Sequence, residues 1–325
     1  MNRRDFLIGS AVGAVIANMP VAARAKDGVP VVAFLITHPP VDAPIVGMFR
    51  RGLLKYGYVD GQNVRLEVRT ALGQIDQVPA IARELVDIPA DVIVIVNEIA
   101  LNAVRQATNT IPIVMVGFID DPVEEGWIDS YRRPGTNVTG VFNINANLVG
   151  KRLEILKEVL PELSRVAVLW DPVFGGRQLE TMKQAGKVLG VEIEAYAVAN
   201  GKELSVAFKR ARRRKVGAIA LLWSPVFYVH REELGKLALD YRIPTMADQD
   251  YLVGAGCLAF YGAMAEPAFE RAGYFVDRLL KGAKPEQLPV EQLSDVKLVV
   301  NLKAAKELGI TVPQSILLRA DEVIE

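Results

Sequence analysis

Groups that bind soft metals are scarce in this chain of 325 residues, which has one cysteine, Cys257, and two histidines, His38 and His230. A single cysteine cannot close an internal disulfide. Histidines so far apart offer no metal-ligand spacing. Cys257 lies in an apolar run and reads as a small buried hydrophobe. Net charge is missing too: 38 Lys+Arg balance 38 Asp+Glu. No chain-wide attraction to nucleic acid or to an anionic membrane surface follows. The basic run Arg210–Lys215 sits at the end of a helical pattern, where cations complement the helix C-terminus, and reads as a solvated face. No glycine-rich phosphate loop is present, because Gly254-Ala255-Gly256 precedes a strand rather than a helix. A Gly-x-Ser-x-Gly elbow is also lacking. Nothing in these features favours catalysis, and no metal or cofactor is expected.

What is present begins with an address. Asn2-Arg3-Arg4-Asp5-Phe6-Leu7 holds a twin arginine, Ile8–Val21 is a short apolar run, and Ala23-Arg24-Ala25 fits a small-x-small cleavage site. This is the layout of an export signal of the twin-arginine type. The run is short of the roughly 20 apolar residues a membrane span needs, and no cysteine follows it to carry a lipid. We expect residues 1–25 to be removed and the mature chain, from Lys26, to be free in the periplasm.

The rest contains an internal repeat. A first series runs through the strand-like Pro30–Ile36, the helical Pro44–Tyr56, Val64–Val68, the helical Gln77–Asp87, Asp91–Val96, the helical Leu101–Thr108 and Ile111–Met115. A second series repeats that order through Arg165–Trp170, Leu179–Leu189, Val191–Ala195, Lys202–Arg212, Ala218–Trp223, Glu232–Tyr241 and Ile243–Met246. The offset is roughly 130 residues, the scale of a whole domain. Ile111-Pro112 and Ile243-Pro244 each open a short strand, where proline is tolerated. Alternation of strand and helix gives an α/β fold with parallel sheets covered on both faces. The expectation is two doubly wound lobes joined by crossover strands, with a ligand cleft between them. Lobe 1 is assigned 26–142 plus 262–288, and lobe 2 is assigned 143–261 plus 289–325. The first crossing follows Arg133–Asn143; two more are expected near Tyr261 and near Pro285–Val290. The tail closes with the helical Leu302–Leu308 and the polar Asp321–Glu325.

In such sheets, ligands meet the loops just past the carboxyl ends of the strands. Those ends carry Thr37 and His38, then Asn97 and Glu98, then Phe118 and Asp121. In the second lobe they carry Trp170 and Asp171, Trp223 and Ser224, and Asp248; Tyr261 lies near a crossing. Asn97-Glu98 either caps a helix or meets a ligand. Asp121-Pro122 suits a cap and turn. Trp170 and Trp223 fall at matching strand ends, so their rings either flank a flat ligand or close the core beneath the loops. His230, at a helix start, reads as structural.

Several stretches carry a family resemblance: Phe49-Arg50-Arg51-Gly52-Leu53, Tyr56-Gly57-Tyr58 with Gly61-Gln62-Asn63, Ile111-Pro112-Ile113-Val114 and Asp121-Pro122-Val123. They continue with Arg133-Pro134-Gly135, Asn137-Val138-Thr139-Gly140, Lys151-Arg152-Leu153-Glu154, Tyr261-Gly262 and Asn301-Leu302-Lys303-Ala304-Ala305-Lys306. With them, the whole mature chain resembles the ABC transporter substrate-binding proteins of the tryptophan/tyrosine type, a branch of the type I periplasmic binding proteins. The resemblance implies a non-enzymatic receptor that hands a small solute, in characterised relatives an aromatic amino acid, to permease subunits in the inner membrane. Two departures fall at the site loops. Asn97-Glu98-Ile99 stands where many relatives carry small hydroxyl and glycine residues, and Phe118-Ile119-Asp120 looks longer. The expected mechanism is hinge closure, with the ligand bridging both lobes. Trp170, Trp223 and Phe118 would sandwich it, Glu98 or Asp248 would meet a cationic group, and helix N-termini near Thr37 and Asn97 would meet a carboxylate. The alternatives are a sensor subunit on the same fold or a periplasmic enzyme. An effector domain of a transcription factor is disfavoured, since an export leader stands where a DNA-binding motif would be.

Overall fold

In a computed structural model of the chain, residues 28–41, 43–118, 120–143 and 148–325 are described, and the expected export signal lies outside them. The first series folds as β1 (Val31–Ile36), α1 (Pro44–Leu54), β2 (Arg65–Thr70), α2 (Val78–Asp87), β3 (Val92–Ile95), α3 (Glu98–Ala107), β4 (Ile113–Phe118) and β5 (Val138–Asn143). The second follows as α4 (Val149–Val159), β6 (Arg165–Trp170), α5 (Gly176–Leu189), β7 (Glu192–Ala197), α6 (Gly201–Arg213), β8 (Ala218–Leu221), α7 (Pro225–Val229), α8 (Arg231–Asp240), β9 (Thr245–Ala247), α9 (Tyr251–Gly254) and β10 (Ala259–Ala263). The chain ends with α10 (Ala265–Leu280), β11 (Glu291–Leu293), β12 (Val296–Asn301), α11 (Leu302–Leu308), α12 (Gln314–Leu317) and β13 (Glu322–Ile324).

These strands form two sheets, ordered β2-β1-β3-β4-β5-β11 and β7-β6-β8-β9-β10-β12-β13. The repeat is visible in the order, since β2-β1-β3-β4 and β7-β6-β8-β9 are the same winding. In each, the order reverses at the first strand, which opens a crevice at the carboxyl ends. β1 and β3 are apolar and buried along their whole length, as strands covered on both faces must be. β12 runs antiparallel to β10, an antiparallel addition at the far side of an otherwise parallel wind.

The chain passes between the sheets after Asn143, returns after Ala263, and passes again between Leu293 and Val296. The last passage lies beyond Pro285–Val290, where the sequence pattern placed it. Glu291–Leu293 first pairs in parallel with Val141–Asn143 at the edge of the first sheet. Three residues, two of them polar, carry too little alternation to read as a strand. The polar tail likewise supplies β13, which pairs with Val299–Asn301.

Two glycine positions explain family-like motifs. Gly140 has φ +127°, and a Cβ there would lie 2.2 Å from the Met115 carbonyl oxygen. Only a bare backbone lets β5 sit so close to β4 at that point. Thr139 Oγ1 donates to the Leu288 carbonyl at 2.8 Å and Asn137 Nδ2 to the Ile111 carbonyl at 2.8 Å, so the Asn-Val-Thr-Gly run ties one strand to its neighbours. Gly52 meets α10 in the same manner: its Cβ would lie 2.3 Å from the Phe269 carbonyl. That contact seats α10 on α1 and makes the returning helix part of the first lobe. Among the described residues, no helix is long and apolar enough to cross a membrane.

Candidate functional site

A cavity opens between the two sheets, on the side where their strands end. The first lobe contributes Thr37 and Pro39 after β1, Val96 and Asn97 after β3, Val116 and Gly117 in β4, and Asn143 at the end of β5; α1 adds Ile45 and Met48 and α10 adds Ala265, Ala268 and Phe269. The second lobe faces them with Trp223, Pro225 and Tyr228 from the β8–α7 turn, and with Gln249 and Tyr251 after β9. The space open to the centre of a water-sized sphere is about 90 Å³, several times what one ordered water needs. Among the described residues, no side chain of the lining carries a formal charge.

The lobes touch across this cavity. Ile45 N–H, in the first turn of α1, donates to the Tyr228 hydroxyl at 3.0 Å. That oxygen satisfies a donor the helix itself leaves free. The Tyr228 ring also meets Tyr251 edge-on at 4.9 Å and lies under the Arg231 guanidinium at 5.3 Å. At the mouth, His38 meets Phe174 at 5.8 Å, and Phe174 meets Trp223 edge-on at 5.2 Å. An ion pair closes the rim, where Arg177 of α5 reaches Glu125 at 2.6 Å and Asp120 at 3.6 Å.

Of the residues singled out by strand-end position, Thr37, Asn97 and Trp223 line the cavity. Asn97 is also a helix cap: its Oδ1 accepts from Ala100 N–H at 3.0 Å, while its Nδ2 donates to Thr37 Oγ1 at 2.8 Å. Thr37 Oγ1 lies 3.1 Å from His38 Nδ1 as well. Burial lowers the His38 pKa, partly offset by the Asp171 carboxylate across the mouth, so the ring is neutral at neutral pH. Glu98 is half-buried beside them. Burial pushes its pKa up to about 7, and Asp120, Glu125 and Asp171 add to the rise. Asp171 and Ser224 form an internal brace, with Ser224 Oγ donating to Asp171 Oδ2 at 2.7 Å and accepting from Val226 N–H at 3.0 Å.

Others lie apart from the cavity. Trp170 packs into the core between β6 and α4–α5, and Tyr261 packs on the same cluster. The β6–β8 register sets Leu169 opposite Leu221, so Trp223 lies one residue further along than Trp170. A one-residue offset turns a side chain to the other face of a sheet. Asp121 caps its own turn, accepting from Val123 N–H at 2.9 Å and from the Tyr131 hydroxyl. Phe118 ends β4, opposite Phe142; its side chain is outside the described residues. Asp248 is sealed at 1% exposure. Burial pushes its pKa up to about 7 against the pull of Arg152. The Gln249 amide lies close enough to favour the charge, yet among the described residues neither Asp248 oxygen has a hydrogen bond of good geometry. Arg152 is buried in turn, and its Nε donates to the Tyr261 carbonyl at 2.8 Å.

The residues chosen at strand ends leave out Asn143, Phe174, Tyr228 and the walls from α1 and α10, and from the run Ala247–Tyr251 past β9 they take Asp248 where Gln249 and Tyr251 line the cavity. Tyr228 stands seven residues past the end of β8, in the first turn of α7, and Tyr251 stands four residues past the end of β9. Phe269 belongs to a helix that comes back from the other lobe, which no local pattern shows.

The model of the family described as ABC transporter substrate binding protein matches residues 29–324. The chain belongs to that family. Among curated relatives, a tyrosine-binding protein of Clostridioides difficile is 26% identical over 279 residues, covering 84% of this chain and 79% of that one. Among solved structures, a conserved domain protein from Vibrio cholerae aligns with a TM-score of 0.80 at 26% identity, covering 91% of this chain and 100% of that one. An ABC domain from Streptococcus pneumoniae in complex with L-Trp aligns with a TM-score of 0.79 at 25% identity, with the same 91% and 100% coverage. The substrate-binding family thus accounts for the whole two-lobed body.

Proposed function

We propose that this chain is the exported, periplasmic receptor of an importer, which closes on a small aromatic solute and delivers it to a membrane permease. The observation that carries this reading is a mostly apolar cavity walled by both lobes and bridged by the Ile45–Tyr228 hydrogen bond. A ligand filling that space contacts both halves at once, so it binds the closed arrangement more tightly than the open one and shifts the population toward it. Crossings after Asn143, after Ala263 and before Val296 provide the hinge. Trp223, Tyr228, Tyr251 and Phe269 supply flat apolar walls for an aromatic amino acid or aromatic acid. In this reading the lobes divide near Asn143, Ala263 and Leu293. No chemical step is assigned to the site: the protein binds and releases.

The similarity to proteins described as tyrosine-binding and as complexed with L-Trp supports the choice of solute. A thermal-shift screen of aromatic amino and carboxylic acids tests it, because a ligand of the native state raises the melting temperature by mass action. Tryptophan or tyrosine should raise it, and Trp223→Ala should remove the shift. A melting temperature indifferent to every aromatic solute overturns the reading.

A further inference from the structure

Resting on the reading above, we propose that the hinge end of the cavity selects an uncharged planar group bearing an N–H or O–H donor, and that the Asn143 carboxamide recognises it. Asn143 is the last residue of β5 and lines the cavity. Alternation along β5 sends Val141 into the layer beneath α1 and α10, and Asn143, two residues on, shares that face. It is 6% exposed, and among the described residues its buried Oδ1 has no hydrogen-bond partner. A buried amide oxygen left unpaired is costly, and folded proteins leave few of them. A partner brought by the ligand removes that cost.

The surroundings are built for such a partner. The β4–β5 register shifts between Val116 and Phe118, and Gly117 between them has φ +69°. A bulge of this kind commonly re-aims groups beside a binding site. A Cβ on Gly117 would come within 3.8 Å of Asn143 Nδ2, so the missing side chain keeps backbone, and space, next to the amide. Ala265 and Ala268 of α10 are short where they reach the lining. No charged side chain lines the cavity among the described residues, so an ionised group at this end would be buried unpaired. Ionisable groups stand instead at the mouth, in Glu98, Asp120, Asp171 and Arg177. The bound solute therefore points its neutral ring toward the hinge and any ionised group toward the mouth. Turning the carboxamide over exchanges its oxygen and nitrogen, which presents the oxygen to the donor of the ligand.

Calorimetric titration of the full chain decides it, with L-tryptophan against 1-methyl-L-tryptophan and L-tyrosine against both L-phenylalanine and O-methyl-L-tyrosine. In at least one series the donor-bearing member should bind roughly tenfold or more tightly than its analogues. Asn143→Leu should erase that ratio while still binding phenylalanine. If the leucine variant does not fold, as judged by circular dichroism, Asn143→Ser serves in its place, and the wild-type ratios stand on their own. Equal affinity within every series, or a ratio that survives in the variant, overturns the assignment alone. Binding of none of these amino acids overturns it together with the reading on which it rests.

Discussion

Replacing Tyr228 by Phe removes one oxygen and almost nothing else. The edge contact of its ring with Tyr251 and the Arg231 cation above it are kept. What is lost is the 3.0 Å bond that Ile45 N–H donates across the cavity. A net intramolecular hydrogen bond of this type contributes about 1 kcal/mol, which is a factor of about five in an equilibrium constant. In the open arrangement water takes over the Ile45 N–H, so the loss falls on the closed arrangement alone. Apparent affinity scales with the fraction of protein competent to close on ligand. If the free protein is mostly open, Tyr228→Phe should weaken binding about fivefold. If it is mostly closed, small-angle scattering of the free protein should show a larger radius in the variant and a smaller change in affinity. The rim ion pair of Arg177 is a useful contrast. It is half-exposed, and such pairs contribute ~0.2–1 kcal/mol, falling with salt. Arg177→Ala should therefore do less than Tyr228→Phe, and less still at high salt. A Tyr228→Phe protein with unchanged affinity and unchanged scattering refutes the idea that this contact holds the lobes together.

Three further outcomes follow from side-chain placement. Trp170→Ala should lower the melting temperature, at a cost of about 2 kcal/mol for a half-buried ring, while leaving ligand affinity within about twofold; a calorimetric titration beside a thermal melt separates the two. Gly140→Ala forces a Cβ against the Met115 carbonyl oxygen and should destabilise by about 3 kcal/mol or more, seen as loss of the cooperative transition in urea. Glu98 gives a pH dependence with a definite sign. Its folded pKa of about 7 lies above the ordinary carboxylate value, so the folded protein holds a proton that the unfolded chain releases. Stability from this group is full at acid pH and falls as pH rises toward about 7, with a slope of up to ~1.4 kcal/mol per pH unit. Asp248 adds a parallel fall; the difference between wild type and Glu98→Gln across pH 4–8 isolates the Glu98 part.

The architecture was readable because its signals are local and repeated. Apolar runs such as Val31–Ile36 and Ala218–Leu221 mark buried parallel strands, and Ile-Pro pairs stand just ahead of β4 and β9. The order β2-β1-β3-β4 returning as β7-β6-β8-β9 was implicit in the repeated pattern. The site was readable only where it touches strand ends, at Thr37, Asn97 and Trp223. Trp170 shows why the rest was hidden: matching sequence positions do not fix register, and a shift of one residue sends a ring into the core. Asn143 was hidden for another reason. It reads as the polar exit of a strand, and only the returning α10, over a hundred residues later, closes the apolar layer around its amide. β11 was too short and too polar to announce itself, so the final crossing was placed a few residues early.

If two lobes move about a hinge to enclose a solute, the distance across the mouth shortens when ligand binds. Leu72 and Val173 are exposed; they adjoin Gly73, which packs against His38, and Phe174, which meets the same ring from the other lobe, and the lone native cysteine, Cys257, is buried. Paired spin labels at Leu72→Cys and Val173→Cys, read by double electron–electron resonance with and without saturating L-tryptophan, should give a broad or longer distribution in the free protein and a single shorter distance with ligand. Superimposable distributions under both conditions, with tryptophan shown to be bound, would contradict the account.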